Sequence, residues 1–198
     1  MTLVATITPS DTSLGASAPL AEGDLIERLK QGDLAAMGEL YDAHHATVRA
    51  FARRLVGDVA AAEDLLHDVF CALPGAVRGF RGDSSLRTFL IAVAVNHARH
   101  HVRSAARRRA ALEKLGHEPT PSADSPEHDA RRRELAELLT RALDALPIEQ
   151  RVAFVLCEVE ERTSREAAVI AGVPEATIRT RLFHAKRKLR EALETEAP

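Results

Sequence analysis

Tryptophan is missing from this chain of 198 residues, and Tyr41 is its single tyrosine. So few aromatics speak against a β-sandwich or barrel, and the abundance of Ala, Leu, Arg and Glu favours helices. Only two cysteines are present, Cys71 and Cys157. They cannot build a disulfide framework, and a reducing cytoplasm is the simplest home. Neither has a partner at ligand spacing, so both read as small buried apolar residues. No apolar run approaches the ~18–20 residues that cross a bilayer, which excludes an integral membrane protein. No Lys or Arg precedes Arg28, so the basic start of a secretory signal is lacking. There is no Gly-rich phosphate loop and no defensible carboxylate pair. No catalytic residue and no cofactor is expected.

What is present has the balance of a globular protein, with 45% hydrophobic and 28% charged residues and a net charge of −2. The distribution of charge says more than its sum. Between Arg81 and Arg109 seven basic residues face one acid, Asp83. Between Glu175 and Arg190 six face one, Glu175. Residues 116–130 hold Glu118, Asp124, Glu127 and Asp129 and neither Lys nor Arg. Two basic blocks joined by an acidic connector suggest two polyanion-binding surfaces on a tether.

The apolar pattern predicts an all-α chain of two small helical domains joined by a flexible linker, the second a helix-turn-helix. Residues 1–23 lack periodicity and read as a flexible tail. Asp24 is placed to cap a first helix through Leu25, Ile26 and Leu29, and Asp33 to cap a second, with Leu34, Met37, Leu40, Tyr41, Val48, Phe51, Leu55 and Val56 at buried spacing. Gly57-Asp58 ends that helix and opens a third, which Pro74-Gly75 punctuates. A loop over 79–85 leads into a helix from about Leu86 to Arg109. The first domain is assigned to 24–115. The proline-rich segment 116–130 is the linker, free to fold onto the basic faces at low ionic strength. Four short helices make up 131–198, with Pro147 suited to the first helical position of the second and Thr163 or Ser164 capping the third.

The strongest local pattern is Thr163 to Arg190, where a short helix, a tight turn at Gly172 and a longer basic helix form a helix-turn-helix. Ala168 is small where the helices approach, Val173 and Ile178 fill the corner, and Leu182 and Leu189 continue the buried face. Thr177, Arg179, Thr180, Arg181, His184 and Lys186 are left for DNA. A solvated charge run is the bland alternative. His97, His100 and His101 have metal-like spacing, but no Cys or Asp completes a site and the segment is basic; no metal is expected.

Leu146-Pro147, Arg151, Arg165 to Ala168 and Gly172 to Lys186 together resemble region 4 of bacterial sigma factors, in the compact extracytoplasmic-function group. Ala62 to Phe70 resembles that family's region 2 helix, and Phe80 to Asn96 with Arg99 and Arg103 resembles its downstream-promoter reader. The resemblance implies a protein that binds core RNA polymerase through Glu63, Asp64, Leu66, His67, Asp68 and Phe70. It implies downstream-element contacts by Arg81, Asp83, Ser84, Arg87, Asn96, Arg99 and Arg103. Upstream-element contacts would come from Arg165, Thr177, Arg179, Thr180, Arg181, Phe183, His184 and Lys186. Promoter DNA and an anti-sigma protein are the implied further partners. The sequence departs from the family at His67 (usually Gln), Phe89 (usually Trp), around Asn96, and at Glu160-Glu161, where Gly is frequent. The rival readings are a one-component helix-turn-helix regulator acting without polymerase and a His-metal hydrolase.

Overall fold

In the computed structural model the described residues are 19–114, 138 and 140–196, and among them every regular element is helical. The first helix, α1 (Pro19–Lys30), begins before Asp24 and takes in the end of the expected tail. Asp24 is therefore inside a helix and caps nothing. The Oε1 of Glu22 instead accepts from the Leu86 N–H at 2.8 Å, so α1 supplies an anion to the exposed amides of a distant helix start.

Helix α2 (Leu34–Val56) opens on Asp33, whose carboxylate accepts from the Ala35 N–H at 2.8 Å while Arg28 Nε donates to it at 2.8 Å. Leu34, read as core, is 85% exposed because it lies in the first turn, away from the buried stripe. Gly57 closes α2 with φ of 73°, and Asp58 caps α3 (Val59–Ala76) by accepting from Ala61. Pro74 does not end α3. It sits within the last turn, and a short 3₁₀ segment (Val77–Gly79) follows. Helix α4 (Leu86–Lys114) runs past the expected Arg109. Leu40, Val48, Phe51 and Leu55 of α2 pack with Leu65, Val69 and Leu73 of α3 and Leu90, Ala94, Val95 and Ala98 of α4. Each large side chain buried there contributes roughly 1.5–3 kcal/mol of transfer free energy.

In the C-terminal half, residues 140–144 are helical and Pro147 precedes α5 (Ile148–Phe154) as its cap rather than as its first residue. The helix widens into a π-turn over Val155–Val159, and Val159 is exposed. Thr163 caps α6 (Ser164–Ala171) in a reciprocal capping box with Glu166. Gly172 adopts the left-handed conformation that turns the chain into α7 (Glu175–Glu196). Ile178 is fully buried, and Ala142, Leu146, Ala185 and Leu189 form a second small core.

The two halves pack on each other: α4 lies against α5 and α6, and one apolar cluster runs through both. The linker 116–130, with its acidic residues, lies outside the described residues. Arg151 of α5, only 5% exposed, crosses the seam. Its Nη1 donates to the Leu55 carbonyl at 2.7 Å and to Asp144 Oδ1 at 2.6 Å. The first acceptor lies in the last turn of α2, where carbonyls lack helical partners.

Arg151→Met should strand both acceptors and destabilise the protein by about 3 kcal/mol, read from thermal and urea denaturation followed by circular dichroism. A second expectation concerns acid. Burial pushes the half-buried His44 imidazole below its usual value of 6.5, with Glu22 opposing and Arg87 reinforcing the shift. Below pH 6.5 the unfolded chain therefore takes up a proton that the folded chain refuses, and stability falls as pH drops through that window. His44→Asn should flatten this part of the stability–pH profile.

Candidate nucleic-acid and protein interfaces

On α3 the apolar residues Leu65, Leu66, Val69 and Leu73 turn inward, which forces Glu63, Asp64, His67, Asp68 and Cys71 outward. Leu66 is 3% exposed, so this member of the expected protein-docking set is core that floors a groove rather than surface. Phe70 is half-buried and meets Tyr41 edge-on at 4.8 Å, at the side of the same groove. Cys71, read as buried, is exposed within 3.3 Å of His67 Nε2. Glu63 pairs with Arg49 at 3.0 Å. A face bearing outward carboxylates beside a groove of mixed polarity suits a basic protein surface and repels nucleic-acid phosphates.

His100 and His101 do not converge with His97. They line a cleft with Asp64, His67 and Asp68, and among the described residues no group of three or more potential ligands is placed to hold a metal.

The loop before α4 leaves Arg81 and Asp83 exposed around Gly82, whose φ is +79°. Ser84 is half-buried, and the Ser85 hydroxyl accepts from the Thr88 N–H. The other residues of the expected downstream set are engaged in side-chain contacts. Asn96 Oδ1 accepts from Arg99 Nη1 at 3.2 Å. Arg99 Nη2 donates to Glu149 at 3.0 Å, and Arg103 reaches the same carboxylate at 3.6 Å. Arg87 pairs with Glu160 at 3.4 Å, and Arg54 of α2 pairs with the same carboxylate.

On α7 the exposed ridge is Ala176, Arg179, Thr180, Phe183 and Arg187, at the i, i+3, i+4 spacing of one helix face. Arg179 is tied to Glu175 one turn back, and Phe183 is 64% exposed with its ring against His184. Arg165 is exposed on α6, and Thr177 and His184 are half-buried beside the ridge. Two expected members lie off it in ion pairs: Arg181 with Glu149 at 2.8 Å and Lys186 with Glu158 at 2.7 Å. Arg187 was missed, although its i+4 relation to Phe183 marks it. Glu149 and Glu160 were missed as well. Only the second had a signal in the sequence, as a departure from a frequent glycine.

Arginines, a hydroxyl and one aromatic on a protruding helix can fork onto guanine, bond phosphates and touch thymine methyl groups. The chain is similar to known proteins. The Sigma-70 region 2 model matches residues 40–108 and the Sigma-70 region 4 model residues 136–189. The chain is 30% identical over 183 residues to the ECF RNA polymerase sigma-E factor of Escherichia coli, covering 87% of this chain and 94% of that one. It is 28% identical over 178 residues to the RNA polymerase sigma-H factor of Pseudomonas aeruginosa, covering 86% and 92%. Among solved structures, CnrH in complex with the cytosolic domain of CnrY aligns with a TM-score of 0.62 at 22% identity, covering 89% of this chain and 99% of that one. The sigma factor RpoE with the anti-sigma factor NepR, from Bartonella quintana, aligns at 0.57 and 24% identity, covering 86% and 99%.

Arg179→Ala should cost about 1–3 kcal/mol of duplex binding and relax specificity at one base position. Arg187→Ala, farther along the helix, should weaken all sequences alike and lower the salt slope by about one. Fluorescence anisotropy against salt concentration, on promoter and scrambled duplexes, separates the two behaviours.

Proposed function

This chain belongs to the extracytoplasmic-function group of sigma-70 RNA polymerase sigma factors, and we propose a division of that work among its surfaces. The α3 face with Glu63, Asp64, His67, Asp68 and Phe70 docks on core RNA polymerase. The loop at Arg81–Ser85, with Arg87, Asn96, Arg99 and Arg103, engages the downstream promoter element, and the α7 ridge with Arg165 reads the upstream one. The first two sets belong to a domain over 24–115, extended at its start by α1, and the third to a domain over 131–198. The observation that carries this reading is the segregation of charge. Carboxylates crowd the exposed side of α3 while arginines crowd α4 and α7, on segments that match regions 2 and 4 in that order.

Polymerase performs the chemistry and this chain chooses the promoter, so no catalytic group of its own is needed. The loop around Gly82 accepts a base turned out of the non-template strand, at an unpairing cost of a few kcal/mol that is lowest at easily melted steps. With so few aromatics in the chain, the melting depends heavily on polymerase and on the DNA. The site of action is the cytoplasm, where polymerase and promoters are. An anti-sigma factor is the further partner, as the Bartonella quintana sigma factor has in its solved complex.

Run-off transcription with core polymerase on genomic promoter fragments tests the reading. Discrete start sites that depend on this chain are expected. Sequence-specific duplex binding without any polymerase-dependent transcript would mark a one-component regulator instead. On the docking face, Asp64→Lys with Asp68→Lys should lower affinity for core polymerase by breaking ion pairs from one side. Both carboxylates are exposed, so stability should shift by under about 0.5 kcal/mol. Loss of helicity together with binding would make these groups structural.

A further inference from the structure

The loop that carries Arg81, Asp83 and Ser84 hangs between two buried anchors. Phe80 is 7% exposed and Leu86 1%, and residues 81–85 between them are exposed or half-buried around Gly82. Both ends of this loop meet the same helix. α1 packs against the 3₁₀ segment Val77–Gly79 that leads into the loop. Where the loop becomes α4, Glu22 of α1 accepts from the Leu86 N–H at 2.8 Å, across 64 residues of sequence.

α4 does not need that bond to begin. Ser85 already caps it locally, its hydroxyl accepting from the Thr88 N–H at 3.2 Å. The Glu22 carboxylate takes a further amide of the first turn, where the helix dipole favours an anion. What this bond adds is a fixed place for the exit of the loop relative to α1. α1 is itself firmly seated. Leu29 is 2% exposed, and Arg28 pairs with Asp33 at 2.8 Å and with Glu39 at 2.9 Å. Glu22 and Arg87 also act in opposite senses on the half-buried His44 imidazole of α2, so the tether and a member of the downstream set share one neighbourhood.

We propose that Glu22 is a positioning residue for downstream-element recognition, holding the exit of the 81–85 loop in register with its entrance through α1. The inference rests on the assignment of that loop to the downstream element. A base turned out of its strand is read by hydrogen bonds to its edge. Such bonds weaken steeply once distance and angle depart from their optimum. A loop with one end loosened samples more arrangements, and ordering it at the moment of binding costs conformational entropy. With both ends held by α1, the loop is ordered before DNA arrives. Glu22 itself touches no DNA and acts only through the Leu86 amide. The stretch whose composition suggested a tail thereby takes part in promoter choice.

The test compares E22A, E22D and E22Q in the full chain with core RNA polymerase. Run-off transcription is measured on a promoter fragment and on derivatives with single-base changes in the downstream or the upstream element. E22A removes the acceptor, E22D withdraws it by one methylene, and E22Q keeps an amide oxygen in reach. Discrimination against the downstream changes should fall about tenfold in E22A and E22D, the lower end of what a hydrogen bond to a charged group is worth. Discrimination against the upstream changes should stay at the wild-type level, and E22Q should recover part of the loss. Should melting show E22A unfolded, E22D carries the same comparison. Equal loss on every promoter, tracking the melting temperature, would make Glu22 merely structural and overturn the proposal. An E22Q that matches E22A would trace the effect to charge alone and overturn it as well. R81A/S84A, measured in parallel, tests the loop itself. If that variant loses downstream discrimination while E22A and E22D keep it, positioning by α1 falls and the assignment of the loop stands. No downstream effect of R81A/S84A would remove the assignment of the loop and, with it, the proposal.

Discussion

The buried guanidinium of Arg151 sets the relation of the two halves. A cation that loses its water must find acceptors or impose a cost of several kcal/mol. Its acceptors here are one carbonyl of the N-terminal half and one carboxylate of its own. Burial drives the guanidinium below its usual pKa, and Asp144 opposes the shift. Gly57 is required twice at this point. Its φ is +73°, and a Cβ there would come to 2.5 Å from Asp144 Oδ2. A side chain at position 57 would thus disturb both the end of α2 and the seating of the C-terminal half.

With α5 anchored at the end of α2, the remaining contacts follow. α6 and α5 come to rest on α4, whose first half is apolar and whose second half is basic. The apolar part joins the common core, and the basic part meets the nearest carboxylate, that of Glu149. Ion pairs at such a partly dry seam are screened less than those on the open surface. Charge on the exposed side of α3 is arranged differently. Asp64 and Asp68 lie on the exposed side of α3, with His67, His100 and His101 in the adjoining cleft. A chain of nearly neutral net charge thereby carries an acidic surface beside a basic one.

Much of this was legible from the residues in order. Helix boundaries at Asp33, Gly57, Asp58, Thr163 and Gly172 are local: each depends on a side chain or a φ angle that acts within four residues. The helix-turn-helix was legible for the same reason, since Ala168, Gly172 and Ile178 serve contacts between neighbouring helices. Errors arose where a second segment intervened. Asp24 looked like a cap until α1 proved to start at Pro19, and Glu22 turned out to serve a helix that begins at Leu86. Leu66 was assigned to a surface, yet helical periodicity alone could not say how deep it would lie.

The sequence by itself determined the helices, their order, the two-domain division and the separation of acidic from basic faces. Those properties come from short-range periodicity, capping and composition. Only the tertiary structure decided which arginines turn to the seam. Arg179 and Arg181 are two residues apart and chemically identical, yet one stands on the exposed ridge of α7 and the other turns to Glu149. A step of two residues rotates the side chain by about 200° around a helix of 3.6 residues per turn. Which of the two directions meets solvent depends on where α5 and α4 pack, and that is set by Arg151 and the common core rather than by anything within α7.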